Sequence, residues 1–307
     1  GASVFSRAYS DDGERLAASS GADTGVWDMS DPDHPVVLVK VTSPDPEESF
    51  SGSGDMTRDG TLLVQGGRLG TVYLVDISDP SDPTFVGGPL GGSEDLVEQA
   101  SFSADGSLVA AASDDGTVRV WDVGDPERPR LTATLADTPQ IMLNVVWSPT
   151  APLLAANSAD GLTYLYDVED ADAPELLATL DGFDAESYAS AFTADGRTLA
   201  VGGSDRVVIL WDVTDPGAPE RIGEPITGPP SRIYDLAFAP DGTRLVGAVI
   251  DGTAWVWDTS DLRSPRRRAV LGPFDGPTFT VAVSPDGSTL AAGGTDRRVH
   301  LWPTDEG

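Results

Sequence analysis

A motif that returns every 45 to 48 residues along the whole chain restricts its possible folds more than any other feature. A β-rich run ends in an aromatic residue, or once in valine, and an acidic residue follows. The pairs are Trp27-Asp28, Val75-Asp76, Trp121-Asp122, Tyr166-Asp167, Trp211-Asp212 and Trp257-Asp258, with Trp302-Pro303 in the seventh position. A fixed period of this size marks a repeat architecture, in which no unit can bury its apolar surface alone and each must stack on its neighbours. The expectation is one array over residues 1–307, with units at approximately 3–42, 51–90, 97–135, 142–180, 187–226, 233–271 and 278–302.

Every unit follows one grammar. A first strand such as Leu236-Ala237-Phe238 meets a turn such as Asp105-Gly106 or Asp241-Gly242, where glycine accepts a positive φ. The second strand is rich in small residues, as in Leu290-Ala291-Ala292-Gly293, which suits close approach of neighbouring backbones. A second turn, as at Asp115-Gly116, leads into a third strand that alternates with the period of a pleat, Thr117-Val118-Arg119-Val120-Trp121. An Asp-Pro turn follows at Asp31-Pro32, Asp79-Pro80, Asp125-Pro126 and Asp215-Pro216. Proline cannot donate to a sheet, so the fourth strand is read as the outer one. Four antiparallel strands per unit, stacked and closed in a ring, predict an all-β fold: a seven-bladed β-propeller of four-stranded blades.

Stretches such as Phe238-Ala239-Pro240-Asp241-Gly242 and Asp115 to Asp122 resemble the repeats of the WD40-repeat β-propeller family, and the resemblance covers Ser3 to Trp302. Their phrasing is similar to repeats attached to multidomain actinobacterial signalling proteins, although a halophile would also favour Asp and the single lysine, Lys40. Two departures stand out. The family's Gly-His pair is replaced by Gly91-Gly92, Asp137-Thr138, Gly182-Phe183, Gly228-Pro229 and Gly272-Pro273, so blades are expected to be held mainly by apolar packing. The strand count reaches only three in the last blade, so that blade is expected to lack its outer strand, as in a domain cut from a longer polypeptide.

The net charge of -31 disfavours nucleic acid and anionic membrane and favours basic partners. Asp also recurs at the fixed turn positions, where its carboxylate bonds nearby backbone N–H groups, so much of the charge serves the fold first. The chain has no Cys, which excludes disulfides and Cys-ligated metals, and no apolar run near the ~18 residues of a membrane span; a cytoplasmic location is expected.

Catalysis needs converging acids, bases, nucleophiles or a metal. The two histidines, His34 in a proline-rich turn and His300 in a third strand, are far apart in the repeat grammar. Acidic stretches such as Asp79 to Asp82 and Asp167 to Asp172 lack calcium-loop spacing. The expectation is no catalytic residue, no metal and no cofactor, and therefore a non-catalytic module that recognises a protein or peptide, or other domains of its own polypeptide. The alternatives are a propeller that binds a small ligand or glycan, or a hydrolase or lyase working in the channel.

The resemblance implies which face works. The residue after the first apolar position of each first strand is Phe5, Glu98, Leu143, Tyr188, Tyr234 or Phe279, with Phe50 near the corresponding place in the second unit. In the family this position rims the central channel on the face most used for partners. Arg232 is expected to join these residues as a partner-binding group, within a charged rim that also includes Glu48, Asp184 and Glu186. Aromatic side chains offer large contact area at low entropic cost.

Overall fold

A computed structural model describes residues 4–20, 23–45 and 49–304; Glu48 of the expected rim lies outside them. The first two blades contain β1 (Val4–Tyr9), β2 (Arg15–Ser20), β3 (Asp23–Asp28), β4 (Val36–Thr42), β5 (Phe50–Met56), β6 (Leu62–Gly67), β7 (Val72–Asp76) and β8 (Thr84–Leu90). The third and fourth contain β9 (Val97–Phe102), β10 (Leu108–Ser113), β11 (Val118–Asp122), β12 (Arg130–Leu135), β13 (Met142–Trp147), β14 (Leu153–Ser158), β15 (Thr163–Asp167) and β16 (Glu175–Leu180). The fifth and sixth contain β17 (Ser187–Phe192), β18 (Thr198–Gly203), β19 (Val208–Asp212), β20 (Glu220–Ile226), β21 (Ile233–Phe238), β22 (Arg244–Val249), β23 (Thr253–Asp258) and β24 (Arg266–Leu271). The seventh contains β25 (Thr278–Val283), β26 (Thr289–Gly294) and β27 (Val299–Pro303).

Each sheet is a simple antiparallel meander in chain order. The first strands β1, β5, β9, β13, β17, β21 and β25 pack side by side around the axis, and β1 meets β25 to close the ring. The outer strands expose residues such as Val37, Phe85, Leu131 and Leu176. Among the described residues the seventh sheet has three strands, and β27 pairs only with β26. An apolar groove of about 130 Å³ runs beside β27, lined by Val256, Leu271, Leu290 and Trp302 among others.

The core lies between blades. Val64 and Leu74 of blade 2 pack with Val97, Phe102, Val109 and Trp121 of blade 3, and equivalent clusters fill the joints that follow. Small residues in the second strands make this stacking possible. A Cβ on Gly247 would stand 2.9 Å from the Trp257 ring, and one on Gly293 would stand 2.8 Å from Val4 across the joint between blades 7 and 1.

Turn chemistry accounts for much of the acidity. The Asp at the end of each third strand from β3 to β23 accepts a hydrogen bond from the backbone N–H two residues on, at 2.8–3.0 Å. The hairpin and Asp-Pro turns repeat the same bond, as at Asp105 with Ser107 N–H (3.0 Å) and Asp79 with Ser81 N–H (2.9 Å). Hydrogen bonds to the ionised form hold three of these acids below the usual carboxylate range: the hydroxyl and then the backbone N–H of Ser81 act on Asp79, those of Thr214 on Asp212, and the backbone N–H and then the hydroxyl of Ser30 on Asp28.

Apolar packing is not the whole account of how blades hold together. In blade 4, Asp160 accepts from Thr138 (2.8 Å) and Tyr164 (2.7 Å), while Asp137 accepts from Tyr166 (2.8 Å). In blade 3, Asp115 pairs with Arg119 at 2.7 Å, and in blade 7 Asp296 pairs with His300 at 2.5 Å. Other bonds cross between blades: Asp55 accepts from Ser101 Oγ (2.8 Å), Asp235 accepts from Thr280 Oγ1 (3.0 Å), and Trp147 Nε1–H donates to Ser101 carbonyl (3.1 Å). Polar networks are therefore present without the Gly-His pair. In blades 3, 4 and 7 one partner is the residue four places after the turn Asp: Arg119, Tyr164 and His300.

Two second hairpin turns carry arginine where others carry glycine. Arg206 and Arg297 adopt φ of 65° and 67°, the left-handed region, which costs a non-glycine residue ~1 kcal/mol. Arg206→Gly is expected to raise the unfolding free energy by up to about that amount, read as a higher denaturant midpoint at unchanged slope.

Candidate functional site

The first strand of each blade begins with one residue paired to the second strand, and a bulge follows. Val4 pairs with Ser20 and Ser6 with Ser19, which leaves Phe5 without a partner; the same shift isolates Glu98, Leu143, Tyr188, Tyr234 and Phe279. A bulge inserts one residue into one strand only and re-aims its side chain. All six of these residues line a central cavity of about 620 Å³, and all six are half-buried.

Four of them form a continuous arc over blades 5, 6, 7 and 1. The Tyr188 and Tyr234 rings stack at 5.4 Å, Tyr234 meets Phe279 edge-on at 5.0 Å, and Phe279 meets Phe5 at 4.8 Å. Arg232 is exposed and lays its guanidinium over Tyr188, 5.6 Å from the ring centre, with Nη1–H donating to the Tyr188 hydroxyl at 3.2 Å. Of the expected rim acids, Glu186 accepts from Ser204 Oγ at 2.7 Å, while Asp184 is tied through its backbone N–H, which donates to Asp205 at 2.6 Å.

Glu98 of blade 3 completes the lining with the opposite character. Burial, then the charge of Asp114, push its carboxyl up to about 7, with the exposed Arg68 acting in the other direction. Burial also raises Asp114, whose own neighbours include Asp95 and Asp115. The charge of Glu98 reaches the arc: burial first, then Glu98, push Tyr234 up to about 12, and burial raises Tyr188.

Phe50 departs from the expectation. It is 0% exposed and packs in the joint of blades 1 and 2 with Val41, Leu63 and Tyr73, whose ring lies 6.2 Å away edge-on. Its pairing with Gly67 identifies it as the anchoring position of blade 2, equivalent to Val97 or Ile233, and not as the bulged residue that follows. The longer bulge between Phe50 and Gly54 hid this register in the sequence.

The histidines lie elsewhere. His34 is exposed with Nδ1 3.1 Å from Asp31, whereas His300 stacks between Phe274 and Trp302 at 4.7 and 5.6 Å. Within the acidic stretch of blade 4, Asp172 pairs with Arg130 and Asp170 caps Asp172 N–H at 3.1 Å. Among the described residues no group of three or more His, Cys, Asp or Glu side chains is arranged to hold a metal.

Two outcomes follow from these placements. Phe50→Ala is expected to cost ~3–5 kcal/mol of stability in chemical denaturation, as large core truncations do. For Glu98, the folded chain keeps its proton from about pH 4.5 to about 7 while the unfolded chain releases it, so this group makes stability fall as pH rises through that window. Glu98→Gln should therefore gain on the wild type by ~1–3 kcal/mol between pH 5 and pH 8, read from paired denaturation curves.

The profile of the WD domain, G-beta repeat (WD40) matches residues 86–122, 174–212, 221–258 and 269–303. Comparison with curated proteins gives no match. Among solved structures, a chain of the crystal structure of a mitotic checkpoint complex superposes with a TM-score of 0.81 and 19% identity, over 97% of this chain and 86% of that one. At this identity the likeness concerns the fold alone. Among the described residues no helix is long and apolar enough to cross a membrane. With four stretches matched to the WD40 repeat and seven sheets around one axis, the described residues form a seven-bladed β-propeller that carries WD40 repeats.

Proposed function

We propose that this propeller is a non-catalytic scaffold that recognises a protein or peptide over the face bearing the channel mouth. The observation that carries the reading is the aromatic arc of Phe5, Tyr188, Tyr234 and Phe279, half-buried at the bulged positions and continued outward by Arg232. Aromatic residues and arginine are the types that dominate binding energy at interfaces. Leu143 and Glu98 complete the contact set around the cavity. The similar chain in the checkpoint complex belongs to an assembly of proteins, which supports a scaffold role for this architecture.

The finer reading is a cytoplasmic module of a larger bacterial signalling or regulatory protein. The edge of β27, which has no second strand beside it among the described residues, and the groove next to it favour it, because a strand from another domain could pair there. The acidic surface favours a basic partner.

The double variant Tyr188→Ala, Tyr234→Ala is expected to reduce partner capture from the native host at least ~10-fold, the scale of losing one interface hot spot, while its circular dichroism stays that of the wild type. Capture at wild-type levels by a folded double variant would rule out this face as the binding surface.

A further inference from the structure

We infer that the mouth of the central channel takes a basic side chain, the guanidinium of an arginine or the ammonium of a lysine presented by the partner, between the arc of Tyr234, Phe279 and Phe5 and the carboxylate of Glu98. This inference rests on the proposed recognition role and names the chemistry of its anchor.

Three observations converge on a cation. The first is the arc itself: aromatic faces carry negative quadrupole density, and three linked rings present it to one cavity. The second is Glu98 in the lining of that cavity, close enough for its charge to act on the Tyr234 and Tyr188 hydroxyls. Behind it Asp114 keeps a buried oxygen, Oδ1, with no hydrogen-bond partner among the described residues. The third is a cation already held by this surface, since Arg232 sits over Tyr188 and bonds its hydroxyl. The arc continues from that ring inward with no further arginine laid over it among the described residues.

Other occupants fit less well. An anion would face Glu98, Asp55 and Asp235 in the lining, in a protein of net charge -31. A neutral apolar group would suit the rings but would bury the Glu98 carboxyl further and bring it no polar partner. A basic side chain lays its stem and charge against the rings and brings the counter-charge that lets Glu98 ionise. After burial, the groups acting on Glu98 are Asp114, which itself stands beside Asp95 and Asp115, and Arg68, while the Tyr188 and Tyr234 hydroxyls feel the Glu98 charge. Entry of the cation therefore releases the proton of Glu98, and binding strengthens as pH rises from 6 to 8.

The test uses the whole chain labelled with 4-fluorophenylalanine, its resonances assigned by single Phe→Leu replacements, and titrated with N-acetyl-arginine amide, N-acetyl-lysine amide and the neutral N-acetyl-citrulline amide. Saturable shifts of the Phe279 and Phe5 fluorines are expected with one or both basic compounds and not with citrulline. The binding should weaken about tenfold in Glu98→Gln and on moving from pH 8 to pH 6, a change matching loss of one charge-assisted contact. Phe279→Leu, which keeps an apolar side chain of similar size, should weaken it while leaving the fold intact. Equal shifts with citrulline and arginine, no shift with any of the three compounds, or undiminished binding by folded Glu98→Gln would overturn the inference. If that happens while the Tyr188→Ala, Tyr234→Ala variant still loses its partner, recognition by this face stands and only its cationic anchor is removed.

Discussion

Each blade is a twisted sheet with two apolar faces, and neither face can be covered from within the blade. The ring exists because every sheet lends both faces to its neighbours, and the second strands decide whether that is possible. Alanine and glycine there let a tryptophan or tyrosine of the third strand settle close to the backbone, as Trp257 does over Gly247. Once this spacing is set, the turns, the channel and the arc of rings all take their places from it. The spacing is uniform enough that hydrogen bonds such as Asp55 to Ser101 and Asp235 to Thr280 can bridge successive blades.

Much of this was legible in the sequence because it depends on local rules repeated many times. The return of an aromatic-Asp pair, the Asp-Gly turns and the proline before each outer strand each express a backbone requirement, so seven blades and the three-stranded last sheet could be read directly. The six bulged residues could also be located, since they follow a buried anchor at constant offset. Phe50 could not be placed, because its blade carries extra residues in the bulge, and identity of residue type pointed to the rim where pairing points to the core. The polar networks were missed for a different reason. Their partners are Arg119, Tyr164 and His300, residues of unlike chemistry that share only a distance of four from a turn Asp.

Electrostatics shows the same division between repeated rule and local circumstance. The strongly negative balance looks like a statement about partners, yet the carboxylates at strand ends are occupied with the hydroxyl and backbone N–H groups of the residues two on, which is why Asp28 and Asp212 are held below their ordinary range. Glu98 belongs to no turn. Its environment is set by burial and by Asp114, and it is the one acid among the six bulged positions, all of which face the channel.

The bulge at the head of each inner strand separates two tasks that a regular strand would have to combine. In an unbroken pleat the residue facing the channel would be locked in register with those packed between blades, and altering one would disturb the other. One inserted residue uncouples them: Val97, Met142, Ile233 and their equivalents keep the joints closed, while the neighbouring position carries phenylalanine, tyrosine, leucine or glutamate without changing the sheet behind it. The ring thus works as a six-place holder whose inner lettering can be rewritten one blade at a time, and specificity can drift over evolutionary time while the architecture stands still.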